Sequence, residues 1–219
     1  MTSPINESAA QPRAESFVDW FHINSRMVTA GAVVVAAAAF GYWIVQRTAY
    51  NETISADRQL LVAKQSLNSG NEALAAADLK KVADKYPSKP AGGEAGMLLA
   101  QLQLGKGDVT GAITGLRALA SKVTSGPTAA SIRGLLGDAL VQAAKPAEAA
   151  AEYVGAAKST SMANERAYWE AKAGRAYLAA NNTVEARKLY EALAAQTDNE
   201  GIATEARVRL GELSVGNRP

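Results

Sequence analysis

The chain has 219 residues, of which 47 are alanine, 48% are hydrophobic and only 6% are aromatic. This composition favours closely packed helices and argues against a β-sandwich or β-barrel, which needs β-branched and aromatic residues. With 23 basic and 21 acidic residues the net charge is +2, so nucleic-acid binding has no electrostatic support.

The first predicted helix is a single membrane span at residues 26–47, which follows a polar N-terminal segment at residues 1–25. The twenty residues from Met27 to Gln46 carry no charge, and about 20 apolar residues are enough to cross the hydrocarbon core of a bilayer as a helix. Aromatic residues of the kind found at membrane interfaces flank this run, namely Trp20, Phe21 and His22 before it and Tyr42 and Trp43 near its end.

Two other interpretations of this run are weaker. A buried helix of a soluble protein would carry one polar face, whereas the only polar residues here are Thr29 and Gln46. A cleaved signal peptide would use the small residues Ala36 and Ala38, but the stretch before the run is 26 residues long and contains acidic residues, unlike a short basic leader. Basic residues are balanced on the two sides, so charge does not orient the helix.

Small residues recur within the span at a spacing of four. The predicted helix-packing face consists of Ala32, Ala36, Ala37 and Gly41. Small residues at this spacing let a second membrane helix approach closely. The predicted partners of the span are therefore an integral membrane protein complex and the lipid bilayer.

After the span, one pattern recurs every 37 residues over residues 48–219. A small residue in a first helix is followed by a small residue in a second helix and, four positions later, by a large one. The three columns are Ala63, Ala100, Gly137 and Gly174; Ala75, Ala112, Ala149 and Ala186; and Leu79, Leu116, Tyr153 and Tyr190. Turn residues separate the two helices of each copy, so the pattern predicts four antiparallel helix hairpins. A fifth first helix, from Ile202 to Leu213 with Gly211 in the small column, is predicted to cap the stack.

The small and large columns resemble the tetratricopeptide repeat, although the period of 37 exceeds the usual 34 residues. The resemblance implies an all-α fold in which a membrane helix precedes a solenoid of about four hairpins and a capping helix. It also implies that the first helices line a groove for a protein or peptide partner, with Lys64, Gln101, Asp138 and Arg175 among the residues on it.

The order of parts, with Phe17–Phe21 before the span and Gly41, Tyr42 and Trp43 at its end, is similar to the bacterial YfgM-like family, an ancillary subunit of the Sec translocon. This resemblance implies a bacterial inner-membrane protein with a cytoplasmic N-terminus and a periplasmic repeat domain. It also implies a role in protein translocation or in contacts with periplasmic chaperones.

Residues for catalysis are scarce. The chain has no cysteine and one histidine, which leaves no thiolate nucleophile, histidine-based triad or Cys/His metal site. We therefore expect no catalytic residue, no metal site and no cofactor. The sequence predicts an accessory subunit or scaffold, with an architectural subunit of a respiratory or photosynthetic membrane complex as the alternative.

Overall fold

The computed structural model describes residues 25–196 and 199–215. The predicted polar segment before Ser25, with Trp20, Phe21 and His22, lies outside the described residues, as do residues 216–219. The described residues are almost entirely α-helical and contain no strand, which confirms the all-α prediction. In chain order the helices are α1 (Ser25–Asn68), α2 (Glu72–Lys85), α3 (Pro90–Gly105), α4 (Val109–Lys122), α5 (Gly126–Gln142), α6 (Pro146–Ser159), α7 (Ala163–Ala179), α8 (Thr183–Ala194) and α9 (Glu200–Val215).

The chain divides into two units, one up to Asn51 and one from Glu52 onward, and this boundary falls inside α1. The described part of the first unit is the apolar portion of α1. Among the described residues, α1 is the one helix long and apolar enough to cross a membrane, and none of its most apolar 18-residue window is buried.

The second unit is a stack of helix hairpins. We call the part of α1 from Glu52 onward, α3, α5, α7 and α9 the first helices, and α2, α4, α6 and α8 the second helices. Each second helix follows its first helix after a three-residue turn, as the sequence pattern predicts. The predicted capping helix, Ile202 to Leu213, is α9. It extends two residues further at each end, from Glu200 to Val215.

The turn inside each hairpin has the same geometry in all four copies. One residue with positive φ recurs every 37 positions, namely Gly70, Gly107, Ala144 and Asn181, with φ between 55° and 81°. The next residue's backbone N–H bonds to a carbonyl five positions earlier in each copy, as in the helix-ending Schellman arrangement. Its side chain also caps the second helix in three copies, as Asn71, Asp108 and Asn182.

The predicted small and large columns form the core between paired helices. All twelve residues of the three columns are buried, and none of the leucines and tyrosines in the large column exceeds 2% exposure. In each copy the size of the small first-helix residue matches the size of the large residue. The small residue is alanine (Ala63 and Ala100) where the large one is leucine, and glycine (Gly137 and Gly174) where the large one is tyrosine.

The glycines are required where the partner is an aromatic ring. A Cβ on Gly137 would lie 2.5 Å from Cε1 of Tyr153, and one on Gly174 would lie 2.8 Å from Cζ of Tyr190. These distances are shorter than any ordinary carbon–carbon contact, so the missing side chain makes the space into which each ring packs.

Candidate protein-binding surface

Three of the four predicted groove residues form ion pairs between consecutive first helices. Lys64 lies 2.5 Å from Glu94 of α3. Asp138 of α5 accepts a hydrogen bond from Lys172 of α7 at 2.5 Å, and Arg175 donates to Glu205 of α9 at 3.2 Å. The predicted column therefore lies along one side of the stack, and its charged members link the first repeat to the second, the third to the fourth and the fourth to α9.

The fourth groove residue, Gln101 of α3, is exposed, and its side chain forms no hydrogen bond or ion pair with the other described residues. Exposed aliphatic side chains lie one helical turn from the charged ones. Leu61 precedes Lys64 by three positions with 67% exposure, and Val141 follows Asp138 by three positions with 50% exposure. Residues three apart share a helix face, so this surface mixes apolar and charged groups.

The most elaborate part of the surface surrounds Lys172. Its ammonium group lies 5.0 Å from the ring centre of Tyr153, 5.4 Å from that of Trp169 and 5.5 Å from that of Tyr168. Asp138 binds Lys172 and also accepts a hydrogen bond from the Tyr153 hydroxyl. We call Asp138, Tyr153, Tyr168, Trp169 and Lys172 the Lys172 cluster. A cation held by three rings and a carboxylate joins the third and fourth repeats.

Gly134, Gly137 and Glu165 position the rings of the Lys172 cluster, and Gly137 makes the space for Tyr153 as described above. A Cβ on Gly134 of α5 would lie 2.2 Å from Cη2 of Trp169, so this glycine allows the indole to lie against α5. The indole N–H donates to Glu165 at 3.4 Å, and the ring stacks on Tyr153 with centres 6.3 Å apart. Neither Trp169 nor Lys172 belongs to a column that repeats, so the 37-residue pattern does not single them out.

Two tyrosine hydroxyls in the core beside this surface have raised pKa values. Burial raises the pKa of the Tyr153 hydroxyl, and its hydrogen bond to Asp138 raises it further. Burial likewise raises the pKa of Tyr190, whose hydroxyl has no hydrogen-bond partner among the described residues. Both hydroxyls therefore stay protonated near neutral pH. No group of three or more His, Cys, Asp or Glu residues within the described part of the chain is arranged to hold a metal ion.

In the first unit, the residues of the predicted helix-packing face are all exposed. Because successive residues turn by about 100° around a helix, Ala32 and Ala36 form one stripe and Ala37 and Gly41 form another, about 140° away. The four residues thus form two stripes on α1. Neither Gly41 nor Gly31 has an atom within 4 Å of the place of its missing Cβ.

The comparison with protein families identifies the fold. A model described as a tetratricopeptide repeat-like domain matches residues 19–214, which is most of the chain. The chain belongs to this family. Tetratricopeptide-like folds are typically non-catalytic and mediate contacts between proteins.

Solved structures agree with this assignment. A tetratricopeptide repeat protein from Parabacteroides merdae superposes with a TM-score of 0.58 at 15% sequence identity, over 74% of this chain and 61% of that one. The tetratricopeptide-like repeats of a putative kinesin light chain from Podosopora anserina give a TM-score of 0.56 at 17% identity, over 74% and 87%. This chain therefore spans less than two thirds of the Parabacteroides protein. At these identities the similarity shows the fold alone. No curated protein matches the sequence.

Proposed function

We propose that the protein is a non-catalytic accessory subunit of a membrane protein complex, anchored at residues 26–47 and making protein contacts through its repeat domain at residues 48–219. The observation that carries this proposal is the uncovered apolar part of α1, which belongs to the same chain as a tetratricopeptide-like domain. A protein with one part suited to lipid and one suited to protein contacts can hold a partner at a membrane.

The anchor is supported by exposure as well as by composition. Val33, Val34, Val35 and Phe40 are each at least 62% exposed, and they occupy several sides of α1. Twenty residues of helix measure about 30 Å, the thickness of the hydrocarbon core. Water would solvate these side chains poorly, so a bilayer or an apolar partner is needed to cover them.

The similarity to the YfgM-like family supports a more specific assignment. By that similarity the protein lies in the bacterial inner membrane with its N-terminus in the cytoplasm and its repeat domain in the periplasm. There it assists protein translocation or contacts periplasmic proteins or peptides. Neither a nucleic acid nor a cofactor is part of this function.

A second candidate function is that of an architectural subunit of a respiratory or photosynthetic complex. The ion pairs between consecutive first helices favour it. Lys64, Asp138 and Arg175 already bond to neighbouring helices, so a peptide binding in the groove would have to compete with these bonds. A folded partner that rests on the exposed apolar and charged groups would leave them intact.

Co-purification from native membranes tests the accessory-subunit role. We expect Ala37→Leu with Gly41→Leu to reduce the recovery of partner proteins, because leucines at the small-residue stripe keep a second helix away. The matched control is Ala38→Leu with Gly31→Leu, which makes the same two substitutions on another side of the helix. Equal loss in both variants, or recovery of the parent chain without any stoichiometric partner, would contradict the proposal.

Protease added outside spheroplasts tests the orientation. The repeat domain should be digested and the N-terminal segment protected. Protection of the repeat domain would reverse the orientation and remove the translocation role, without deciding whether the chain is an accessory subunit.

A further inference from the structure

A cleft lies between the second helices of the first two repeats. It is lined by residues of α2, α3 and α4 and has a volume of about 430 Å³, within the range of about 300–1,000 Å³ that is typical of binding sites. None of the four predicted groove residues lines it. We call this space the α2–α4 cleft. All three helices contribute apolar residues to its lining, namely Ala83, Leu99, Ala100, Ala118 and Leu119.

Two glycines keep the α2–α4 cleft open. Gly96 of α3 and Gly115 of α4 both line it, and a Cβ on Gly115 would meet no atom within 4 Å. The residues 37 positions later, in the next cleft along the stack, are Arg133 of α5 and Glu152 of α6. These two side chains form an ion pair at 3.0 Å. The space between α4 and α6 is therefore bridged by side chains, whereas the corresponding space between α2 and α4 is free.

A second ion pair in the next cleft indicates which charge the α2–α4 cleft lacks. Arg117 of α4 pairs there with Glu148 of α6. The residues 37 positions earlier are Lys80 and Gly111, so the cation is kept and the carboxylate is missing. Lys80 bonds instead to Asp84 of its own helix, at 2.6 Å.

Lys122 adds a second positive charge to the α2–α4 cleft. It lines the cleft and is exposed, and its ammonium group forms no hydrogen bond or ion pair with the other described residues. The three charged residues of the lining are two lysines and one aspartate. A carboxylate on an occupant can therefore pair with Lys122 without breaking a bond within the chain, which is the charge complementarity that protein interfaces use.

We propose that the α2–α4 cleft binds a segment of a partner protein that carries an aliphatic side chain beside an acidic residue. The aliphatic side chain covers the apolar lining, which water solvates poorly, and the carboxylate pairs with Lys122. The fourth repeat has this combination within the chain, because Leu189 and Glu170 occupy the places of the two glycines and line the equivalent cleft. The inference rests on the proposed role in protein contacts and assigns the surface on which the partner docks.

Disulfide exchange with short peptides tests this preference, since the natural chain has no cysteine. The full-length chain carries Thr114→Cys, at an exposed position that lines the cleft. It is equilibrated in a glutathione buffer with the acetylated tripeptide amides Glu-Leu-Cys, Glu-Ser-Cys and Lys-Leu-Cys, and intact-protein mass spectrometry gives the modified fraction. We expect the Glu-Leu peptide to modify the protein several-fold more than either of the others. The matched control is Ala151→Cys, exposed and 37 positions later, where ion pairs bridge the cleft and the three peptides should react alike.

Filling the cleft provides the second measurement. Gly115→Glu introduces the residue of the next repeat at a position with room for it, and it should abolish the preference for the Glu-Leu peptide at Thr114→Cys. Gly211→Glu makes the same change at an exposed glycine of α9, where a Cβ also meets no atom within 4 Å, and it should leave the preference unchanged. Lys122→Glu should reduce several-fold the preference for the Glu-Leu over the Lys-Leu peptide.

Several results would overturn the proposal. They are equal modification by the three peptides, the same preference at Ala151→Cys, and a preference that survives Gly115→Glu. A higher yield with octanethiol than with the Glu-Leu peptide, at Thr114→Cys alone, would assign the cleft to an acyl chain. A disulfide between two protein chains that predominates at Thr114→Cys alone would assign it to a second copy.

Co-purification from native membranes separates this inference from the accessory-subunit role. Gly115→Glu should reduce the recovery of the partner several-fold relative to Gly211→Glu. Undiminished recovery would mean that the partner binds elsewhere, which overturns the inference and leaves the accessory-subunit role intact. Absence of any partner with the parent chain would contradict the accessory-subunit role and would not change the peptide measurement.

Discussion

Gly174 makes space for the ring of Tyr190, and this size complementarity can be tested by substitution. The substitutions Gly174→Ala and Tyr190→Leu introduce the alanine and leucine that the first two repeats have at these positions. In Gly174→Ala the new Cβ would lie 2.8 Å from Cζ and 3.0 Å from Cε1 of Tyr190, a ring that is fully buried. Forcing such a ring to move costs about 1–3 kcal/mol. Replacing glycine by alanine inside a helix stabilises the helix by about 1 kcal/mol. We therefore expect the free energy of unfolding to fall by about 0–2 kcal/mol.

The partner substitution should reverse the sign of this effect. Tyr190→Leu leaves a gap above Gly174, but it costs no hydrogen bond because the tyrosine hydroxyl has no partner among the described residues. On that background Gly174→Ala adds a methyl group to the gap and recreates the pair of Ala63 and Leu79, which are both fully buried. We therefore expect Gly174→Ala to stabilise the leucine variant by about 1 kcal/mol.

Thermal unfolding of the full-length chain, followed by circular dichroism, measures the four members of this double-mutant cycle. For a chain of this size each kcal/mol shifts the melting temperature by about 2–4 °C. The control is Gly115→Ala, inside α4, where the new Cβ meets no atom within 4 Å and should stabilise the protein. If Gly174→Ala has the same effect on both backgrounds to within about 0.5 kcal/mol, the two side chains are not coupled and the size-matching argument fails.

Two further predictions concern the turns and the Lys172 cluster. Ala144→Gly should stabilise the protein by about 1 kcal/mol and Gly107→Ala should destabilise it by about 1–2 kcal/mol, because both residues have positive φ, which a Cβ disfavours; equal melting temperatures would contradict this. Lys172→Met should destabilise by about 1–2 kcal/mol through the lost attraction to three rings. Lys188→Met, which removes one surface ion pair to Glu185, should change stability by less than about 1 kcal/mol, and an equal effect of the two lysine variants would show that the rings contribute nothing.

The sequence by itself determined the helical class, the four hairpins and the columns of the core. It could do so because each repeat packs mainly against its neighbours, so the same packing problem recurs every 37 residues and is solved by residues of similar size. Gly70 and Gly107 also identify their turns, since glycine favours positive φ. The apolar run of α1 can also be identified from the sequence alone, because its length and its absence of charge are local properties.

Only the tertiary structure decided the contacts that do not repeat. Ala144 has positive φ although alanine has no local preference for it, because it occupies the turn that joins the two helices of its hairpin. Lys172 finds Asp138 and three rings through side chains from different repeats, and Gly134 is needed because of an indole 35 positions later. Gly211 has the same place in the sequence pattern as Gly174, yet one is exposed and the other is buried under a ring. A pattern records which residue occupies a position, whereas burial depends on what packs against that position, and that is settled only when the helices are assembled.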